Sequence, residues 1–107
     1  MSDIKDYKRA RCYESNGRVL RRINIIRTGY VSLTTVERVV SDEGVRPNEY
    51  TDAINYLSEE GYIHLRRISG HAPAELADTD WQSLEAKVSA KGIRLLAGTV
   101  SDPLVEV

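Results

Sequence analysis

The stretch from Thr34 to Gly61, TTVERVVSDEGVRPNEYTDAINYLSEEG, decides the predicted fold of this chain. It opens with a pattern typical of a helix start, because Thr34 can cap the helix and Glu37 can complete a capping box three residues later. The apolar stripe of this helix consists of Val36, Val39 and Val40. Gly44 suits the left-handed position beyond a helix end. The pattern therefore predicts a short helix that ends before Gly44.

A second helix is predicted directly after the turn Gly44-Val45-Arg46. Pro47 is favoured at its first position, because the N–H that proline lacks would have no partner there. Its apolar positions recur at helical spacing and comprise Tyr50, Ala53, Ile54 and Leu57. Gly61 stops it. Two helices joined by so short a turn are typical of a helix-turn-helix unit.

The segment before this unit predicts a helix over residues 3–27. Its later part is the clearer, with apolar residues at helical spacing at Val19, Leu20, Ile23 and Ile26. Gly17 lies inside it and is a candidate for a kink or break. Gly29 is expected to end it, with Arg27 in the last turn, where a cation suits the helix dipole.

The segment after the unit predicts two strands, over residues 62–68 and 82–88, because strand formers and alternating apolar residues occupy them. The loop between the strands, residues 69–80, is long, and Trp81 is expected to pack it down. Ser89 is a suitable N-cap for a final helix containing Ile93, Leu95 and Leu96. Gly98 closes that helix, and residues 99–107 are expected to form an extended tail.

Two stretches carry a resemblance to a known superfamily. Leu57-Ser58-Glu59-Glu60-Gly61-Tyr62-Ile63, followed by a hairpin, resembles the end of the recognition helix in winged-helix regulators of bacteria, and residues 88–96 resemble the segment leading into their final helix. More narrowly, Lys91-Gly92-Ile93 followed by Ala97-Gly98-Thr99-Val100 is similar to small winged-helix proteins of Mu-like prophages. The resemblance covers roughly residues 18–98.

The expected fold is therefore α+β and mostly α: a winged helix with a three-helix helix-turn-helix core, a two-stranded β-hairpin wing and a C-terminal helix. We expect one domain over residues 1–107, a length typical of a single domain. Its parts are an N-terminal helical extension (1–17), the helix-turn-helix core (18–61), the wing (62–88), and the C-terminal helix and tail (89–107).

The resemblance implies a transcriptional regulator that binds double-stranded DNA through its third helix and wing. The residues placed to contact DNA are Arg46, Asn48, Thr51, Asn55, Arg66, Arg67 and His71. One feature opposes this reading: residues 47–60 contain no Lys or Arg, and Glu49 and Asp52 would face phosphates. The alternative is a protein-interaction module on the same scaffold, whose acidic third helix faces a basic protein partner.

Charge is unevenly distributed along the chain, although the formal net charge is only −1. Residues 1–27 carry eight basic and three acidic residues, a net +5, and residues 28–61 carry two basic and seven acidic residues, a net −5. A basic first helix could attract a polyanion. It could equally neutralise the acidic segment within the fold or across a dimer.

Tyr7 and Tyr13 are candidates for a homodimer interface, because aromatic residues are enriched at interface cores and the first helix is longer than a minimal winged helix requires. The other interpretation is that they pack on the wing or on the final helix.

No pattern in the sequence predicts an enzyme, a cofactor site or a metal site. His64 and His71 lack ligand spacing, and Cys12 lacks a positioned base. Because Cys12 is the only cysteine, no internal disulfide can form, and a reducing compartment is expected. The charged N-terminus does not resemble a signal peptide, so a cytoplasmic location is expected.

Overall fold

The computed structural model describes residues 2–25 and 28–107. Within these residues the chain forms four α-helices and a three-stranded antiparallel sheet. The helices are α1 (Ser2–Ile23), α2 (Leu33–Asp42), α3 (Pro47–Glu59) and α4 (Ala90–Leu96). The strands are β1 (Val31–Ser32), β2 (Ile63–Arg67) and β3 (Leu84–Val88), and a 3₁₀ turn, Trp81–Ser83, precedes β3. The predicted α+β, mostly helical class is confirmed.

Helix α3 forms as the sequence predicts. It begins at Pro47, and Gly44, in the turn before it, adopts a φ of 97°, which is the left-handed conformation expected of that glycine. The predicted apolar positions are all buried: Tyr50, Ala53, Ile54 and Leu57. The Tyr50 hydroxyl donates a hydrogen bond to the Leu33 carbonyl oxygen at 2.6 Å, which joins α3 to the start of α2.

Helix α2 begins at Leu33, earlier than predicted, and its cap is Ser32 rather than Thr34. The Ser32 hydroxyl accepts a hydrogen bond from the Thr34 backbone N at 3.2 Å. The start shifts because β1 pairs with β3 and holds the chain extended through Ser32. Val39 is exposed, so its predicted place in the apolar stripe is wrong. The buried residues of α2 are Leu33, Val36 and Val40.

Helix α1 ends at Ile23, before the predicted end at Arg27. The Ile25 backbone N bonds to the Arg22 carbonyl oxygen at 3.3 Å, a three-residue turn that tightens the helix end. Ile25 is 65% exposed, so the helix has no further core face to cover beyond Ile23. The predictions for Ile26 and Arg27 lie outside the described residues.

Gly17 does not break α1. It is instead the position at which the C-terminal tail lies against the helix. A Cβ at Gly17 would overlap the Glu106 backbone, with the carbonyl carbon at 2.9 Å. The tail is held on either side, where the Asn16 amide donates to the Leu104 oxygen at 2.9 Å and the Glu106 backbone N donates to the Tyr13 oxygen at 3.1 Å. A glycine is needed here for close approach of two backbones.

The sheet has one strand more than the predicted two-stranded wing. Its order is β1-β3-β2, with Ala86 of β3 paired to Val31 on one side and to Leu65 on the other. Strand β1 is only two residues long, too short to show an alternating apolar pattern, so it could not be predicted from the sequence. Trp81 packs edge-on against Tyr50, with ring centroids 5.2 Å apart, which confirms its predicted role at the end of the long loop.

The final helix is capped as predicted. The Ser89 hydroxyl accepts a hydrogen bond from the Gly92 backbone N at 3.1 Å and donates one to the Gly61 oxygen at 2.5 Å, which ties α4 to the end of α3. Leu95 is buried, whereas Ile93 faces solvent. The core lies between α1, α2, α3 and the inner face of the sheet.

Candidate interaction surfaces

Helix α3 exposes a polar stripe opposite its buried face. Asn48, Thr51 and Asn55, three of the predicted DNA contacts, lie on one exposed side, and Arg46 precedes them at the helix start. The Thr51 hydroxyl donates to the Pro47 carbonyl oxygen at 3.1 Å and is therefore partly committed to the backbone. These positions satisfy the orientation that the sequence predicts.

The charge on the exposed side of α3 is negative. Asp52 and Glu59 are exposed, and α3 itself contains neither lysine nor arginine. Arg46 is the nearest cation along the chain, and it lies at the N-terminal end only. Phosphate contacts usually supply most of the affinity for DNA, so this face is poorly suited to a duplex.

Glu49 is neutralised by α1. Arg11 donates to both of its carboxylate oxygens, at 2.9 and 2.6 Å, and also to the Gly44 carbonyl oxygen at 3.1 Å. The hydrogen bonds from Arg11 hold the pKa of the Glu49 carboxyl below its usual value. The carboxylate also accepts from the Arg46 backbone N at 2.9 Å, which fixes the start of α3.

A second group of ion pairs joins α1 to the end of α2. Arg22 forms a two-pronged pair with Glu43, and Arg18 approaches the same carboxylate at 3.7 Å. Hydrogen bonding from Arg22 lowers the pKa of Glu43. Two acidic residues of the middle segment, Glu43 and Glu49, are thus paired with arginines of the first helix within the fold, which agrees in part with the second interpretation of the charge distribution.

Two of the three wing residues predicted to contact DNA, Arg66 and His71, lie beside one carboxylate. Arg66 Nε lies 2.5 Å from Glu85 Oε2, and the Arg66 guanidinium stacks over the Tyr30 ring at 3.6 Å. His71 Nε2 lies 3.8 Å from the same oxygen of Glu85. Arg67 is half-buried. The charge of Arg66 is therefore largely compensated before any ligand arrives.

A groove of about 750 Å³ lies between the C-terminal half of α3, strand β2 and the loop of residues 71–78; we call it the loop groove. Of the predicted site residues it brings together Asn55, Arg66 and His71. Its apolar lining consists of Ile63, Leu65, Pro73, Ala74, Leu76 and Ala77. Three acidic side chains line it as well: Glu59, Glu75 and Asp78. No sequence pattern places Glu75 and Asp78 in a groove, because only the fold brings the loop back beside α3.

A second groove, of about 650 Å³, lies between the N-terminal half of α1 and the N-terminal end of α3; we call it the helix groove. It contains Arg46 and Asn48, the two remaining predicted residues at the start of α3. Tyr7 lines it too, so Tyr7 packs on neither the wing nor the final helix. Arg46 and Arg66 consequently lie in different grooves, Arg46 with Asp52 in the helix groove and Arg66 with Glu59 in the loop groove.

A buried carboxylate that the sequence did not predict, Asp102, holds the C-terminal tail against the rest of the fold. Asp102 accepts hydrogen bonds from the Tyr56 and Tyr62 hydroxyls, both at 2.7 Å, and from the Leu104 backbone N at 2.8 Å. Burial, together with the bonds to Asp102, raises the pKa of both phenols. No local pattern marks Asp102, because its partners lie 46 and 40 residues away. The cluster is structural.

Comparison with known proteins supplies no relative: no family model, curated protein or solved structure matches this chain. Across residues 2–25 and 28–107, no three His, Cys, Asp or Glu side chains are grouped so that they could hold a metal ion. In the same part of the chain, no helix combines the length and apolar character needed to cross a membrane. The two grooves and their charges are therefore the features that bear on function.

Proposed function

We propose that this chain is a non-catalytic interaction module on a winged-helix scaffold, and that its loop groove binds a basic segment of a partner protein. The scaffold is inferred from the order of its elements: α2, a short turn and α3, then β2, β3 and α4. That order agrees with the resemblance carried by residues 57–63 and 88–96. Because a scaffold does not define an activity, the functional part of the proposal rests on the groove.

The charge of the loop groove carries the proposal. Glu59, Glu75 and Asp78 line it, whereas Arg66, its arginine, is paired with Glu85. Complementary charge speeds encounter and selects partners, and like charge excludes them. A lysine or arginine side chain would therefore be attracted here, and a phosphate group would be repelled.

The apolar lining narrows the ligand to a peptide of mixed character. Pro73 and Ala77 of the loop are exposed and Leu76 is half-buried, so the groove can contact apolar side chains as well as attract cations, whereas Ile63 and Leu65 are already buried in the core. Its volume falls within the usual range of ligand-binding clefts. The ligand expected is a short segment in which lysine or arginine alternates with an aliphatic residue.

The test is fluorescence anisotropy with two labelled peptides, one alternating lysine and leucine and the other alternating glutamate and leucine. The full-length chain should bind the basic peptide and ignore the acidic one. The double variant Glu59→Gln/Glu75→Gln should weaken binding roughly threefold to tenfold, the effect expected from losing two exposed ion pairs. The matched control, Asp42→Asn/Asp80→Asn, removes the same charge at exposed positions outside both grooves and should leave affinity unchanged. Equal binding of both peptides, or equal losses in the two double variants, would refute the proposal.

DNA binding remains a second candidate function because Asn48, Thr51 and Asn55 form one exposed side of α3 beyond Arg46. It predicts that random duplex DNA binds with a steep salt dependence, and that Arg46→Ala or the pair Arg66→Ala/Arg67→Ala reduces the slope. That result, with no affinity for the basic peptide, would replace the proposed function. Undetectable binding of duplex at low salt would remove the DNA candidate.

A further inference from the structure

The N-terminal half of α1 is exposed to solvent along its length. Residues 3–10 are all exposed, including Ile4 at 65% and Tyr7 at 57%. The first side chain along the helix that bonds to another element is Arg11, through Glu49. The molecule is accordingly elongated, with principal extents of 47 × 29 × 24 Å. We call residues 3–10 the arm.

An arm of this length is an unusual helix to leave uncovered. Isolated helices shorter than about 12–15 residues are marginal in water, and most helical stability in proteins comes from packing of an apolar face. Ile4 and Tyr7 form an apolar face on the arm, and residues 2–25 and 28–107 leave both side chains more than half exposed. A second surface that buries Ile4 and Tyr7 would stabilise it.

The arm and the helix groove form one continuous face. Ile4, Lys8, Arg11 and Ser15 all line the groove and follow one another at helical spacing along α1. The N-terminal end of α3 forms the opposite wall. Tyr13 is not on this face, since nine residues turn a helix through about 900°, which places it about 180° from Ile4. The two tyrosines predicted for a dimer therefore do not share a surface.

We infer that the helix groove is a homodimerisation site, in which the arm of one copy lies antiparallel to the arm of the other and inserts Ile4 and Tyr7 between α1 and α3 of its partner. This inference does not depend on the proposed function of the loop groove.

The charges around the helix groove favour a second copy over other occupants. Asp3 and Asp52 are balanced by Lys8 and Arg46, and Glu49 is already paired with Arg11. A neutral rim of mixed sign offers little to nucleic acid or to a highly charged protein. A two-fold interface requires a self-complementary patch. Antiparallel arms meet this condition, because Asp3 of one copy then lies beside the basic stretch from Lys8 to Arg11 of the other.

The size of the patch sets the strength expected of the dimer. Twelve residues line the helix groove, fewer than the 20–30 per side of a standard stable interface. The dimer should therefore be weak and its population should depend on concentration.

Sedimentation equilibrium of the full-length chain across a hundredfold concentration range tests the inference. The wild-type chain should shift from monomer to dimer, and Ile4→Asp or Tyr7→Asp should move the dissociation constant at least tenfold higher. Ile25→Asp is the matched control for Ile4→Asp, because Ile25 is the same residue type and is also 65% exposed, but lies just beyond the C-terminal end of α1. All three positions are exposed, so circular dichroism should report folded protein in every variant.

Three outcomes would overturn the inference. A wild-type chain that is monomeric throughout the concentration range would show that the helix groove does not bind a second copy. Dimerisation of Ile4→Asp and Tyr7→Asp at the wild-type affinity places the interface elsewhere. An equal loss for Ile25→Asp shows that the association is not specific to the arm.

Discussion

Replacing Asp102 with asparagine tests how the C-terminal tail is held. The carboxylate accepts three hydrogen bonds, from Tyr56, Tyr62 and the Leu104 backbone, at 2.7–2.8 Å. Hydrogen bonds to a charged group contribute about 1.5–3 kcal/mol each, against about 0.5–1.5 kcal/mol for neutral ones. Asparagine keeps the shape, but its NH2 group cannot accept a hydrogen bond, so with the amide oxygen on the Leu104 N–H the two tyrosine hydroxyls have to become acceptors. All three bonds are then neutral at best, a loss of about 3 kcal/mol, of which roughly 1 kcal/mol is recovered because a charge no longer has to be buried. We expect the free energy of unfolding to fall by about 2 kcal/mol at neutral pH.

The pH dependence of this effect has a definite sign. Burial alone would raise the pKa of the Asp102 carboxyl, but the hydrogen bonds from the two tyrosines and from Leu104 outweigh it and hold the pKa below its usual value. A carboxyl with a lowered pKa in the folded state contributes stability above its unfolded pKa of about 3.9, and that contribution is lost as the pH falls through the folded value. The difference between wild type and Asp102→Asn should therefore be largest near pH 7 and shrink below about pH 4.

Urea denaturation at pH 7 and at pH 3 measures both quantities. Asp42→Asn is the control, because Asp42 is exposed and its substitution should change stability by less than about 0.5 kcal/mol. In the Asp102→Asn background, Tyr62→Phe should also cost less than it does in the wild type, since the two groups are coupled. A loss below about 0.5 kcal/mol at pH 7, or an equal loss at both pH values, would show that the carboxylate does not hold the tail.

Two further substitutions test individual contacts. Arg11→Ala should lower the free energy of unfolding by about 1–2 kcal/mol at neutral pH, because the half-buried Glu49 loses its partner, and the loss should fade below about pH 4 as Glu49 protonates. Arg9→Ala, which removes an exposed ion pair, should cost less than about 0.5 kcal/mol in the same urea titration. Equal losses in the two variants would contradict this prediction. Gly92→Ala, which would stabilise an ordinary helix by up to about 1 kcal/mol, should instead destabilise by about 1–3 kcal/mol, because the new Cβ would collide with the Tyr62 carbonyl; a raised melting temperature would refute that.

Helix α3 and the turn before it were the part of the fold that the sequence alone predicted best. Its signals are local: Pro47 at a helix start, Gly44 beyond a helix end, and the apolar spacing of Tyr50, Ile54 and Leu57. Local signals of this kind survive folding because backbone sterics and the burial of one helical face act within a few residues. The same holds for Ser89, whose side chain caps α4 as its position predicts.

Tertiary structure alone decided the features that join distant segments. Strand β1 exists because β3 offers an edge, and it displaced the predicted cap of α2 from Thr34 to Ser32. Gly17, which reads as a helix breaker, is instead the place where the tail crosses α1. These outcomes could not be predicted because each depends on a partner more than 50 residues away.

The candidate sites divide in the same way. The sequence identified which residues of α3 face outward and that its exposed side lacks cations. The sequence could not show which arginines form ion pairs within the fold; these pairs are Arg11–Glu49, Arg22–Glu43 and Arg66–Glu85. Nor could it show that the loop brings acidic residues back to α3. Composition fixes how many charges a chain carries, but only the folded geometry determines which of them neutralise one another and which are left for a partner.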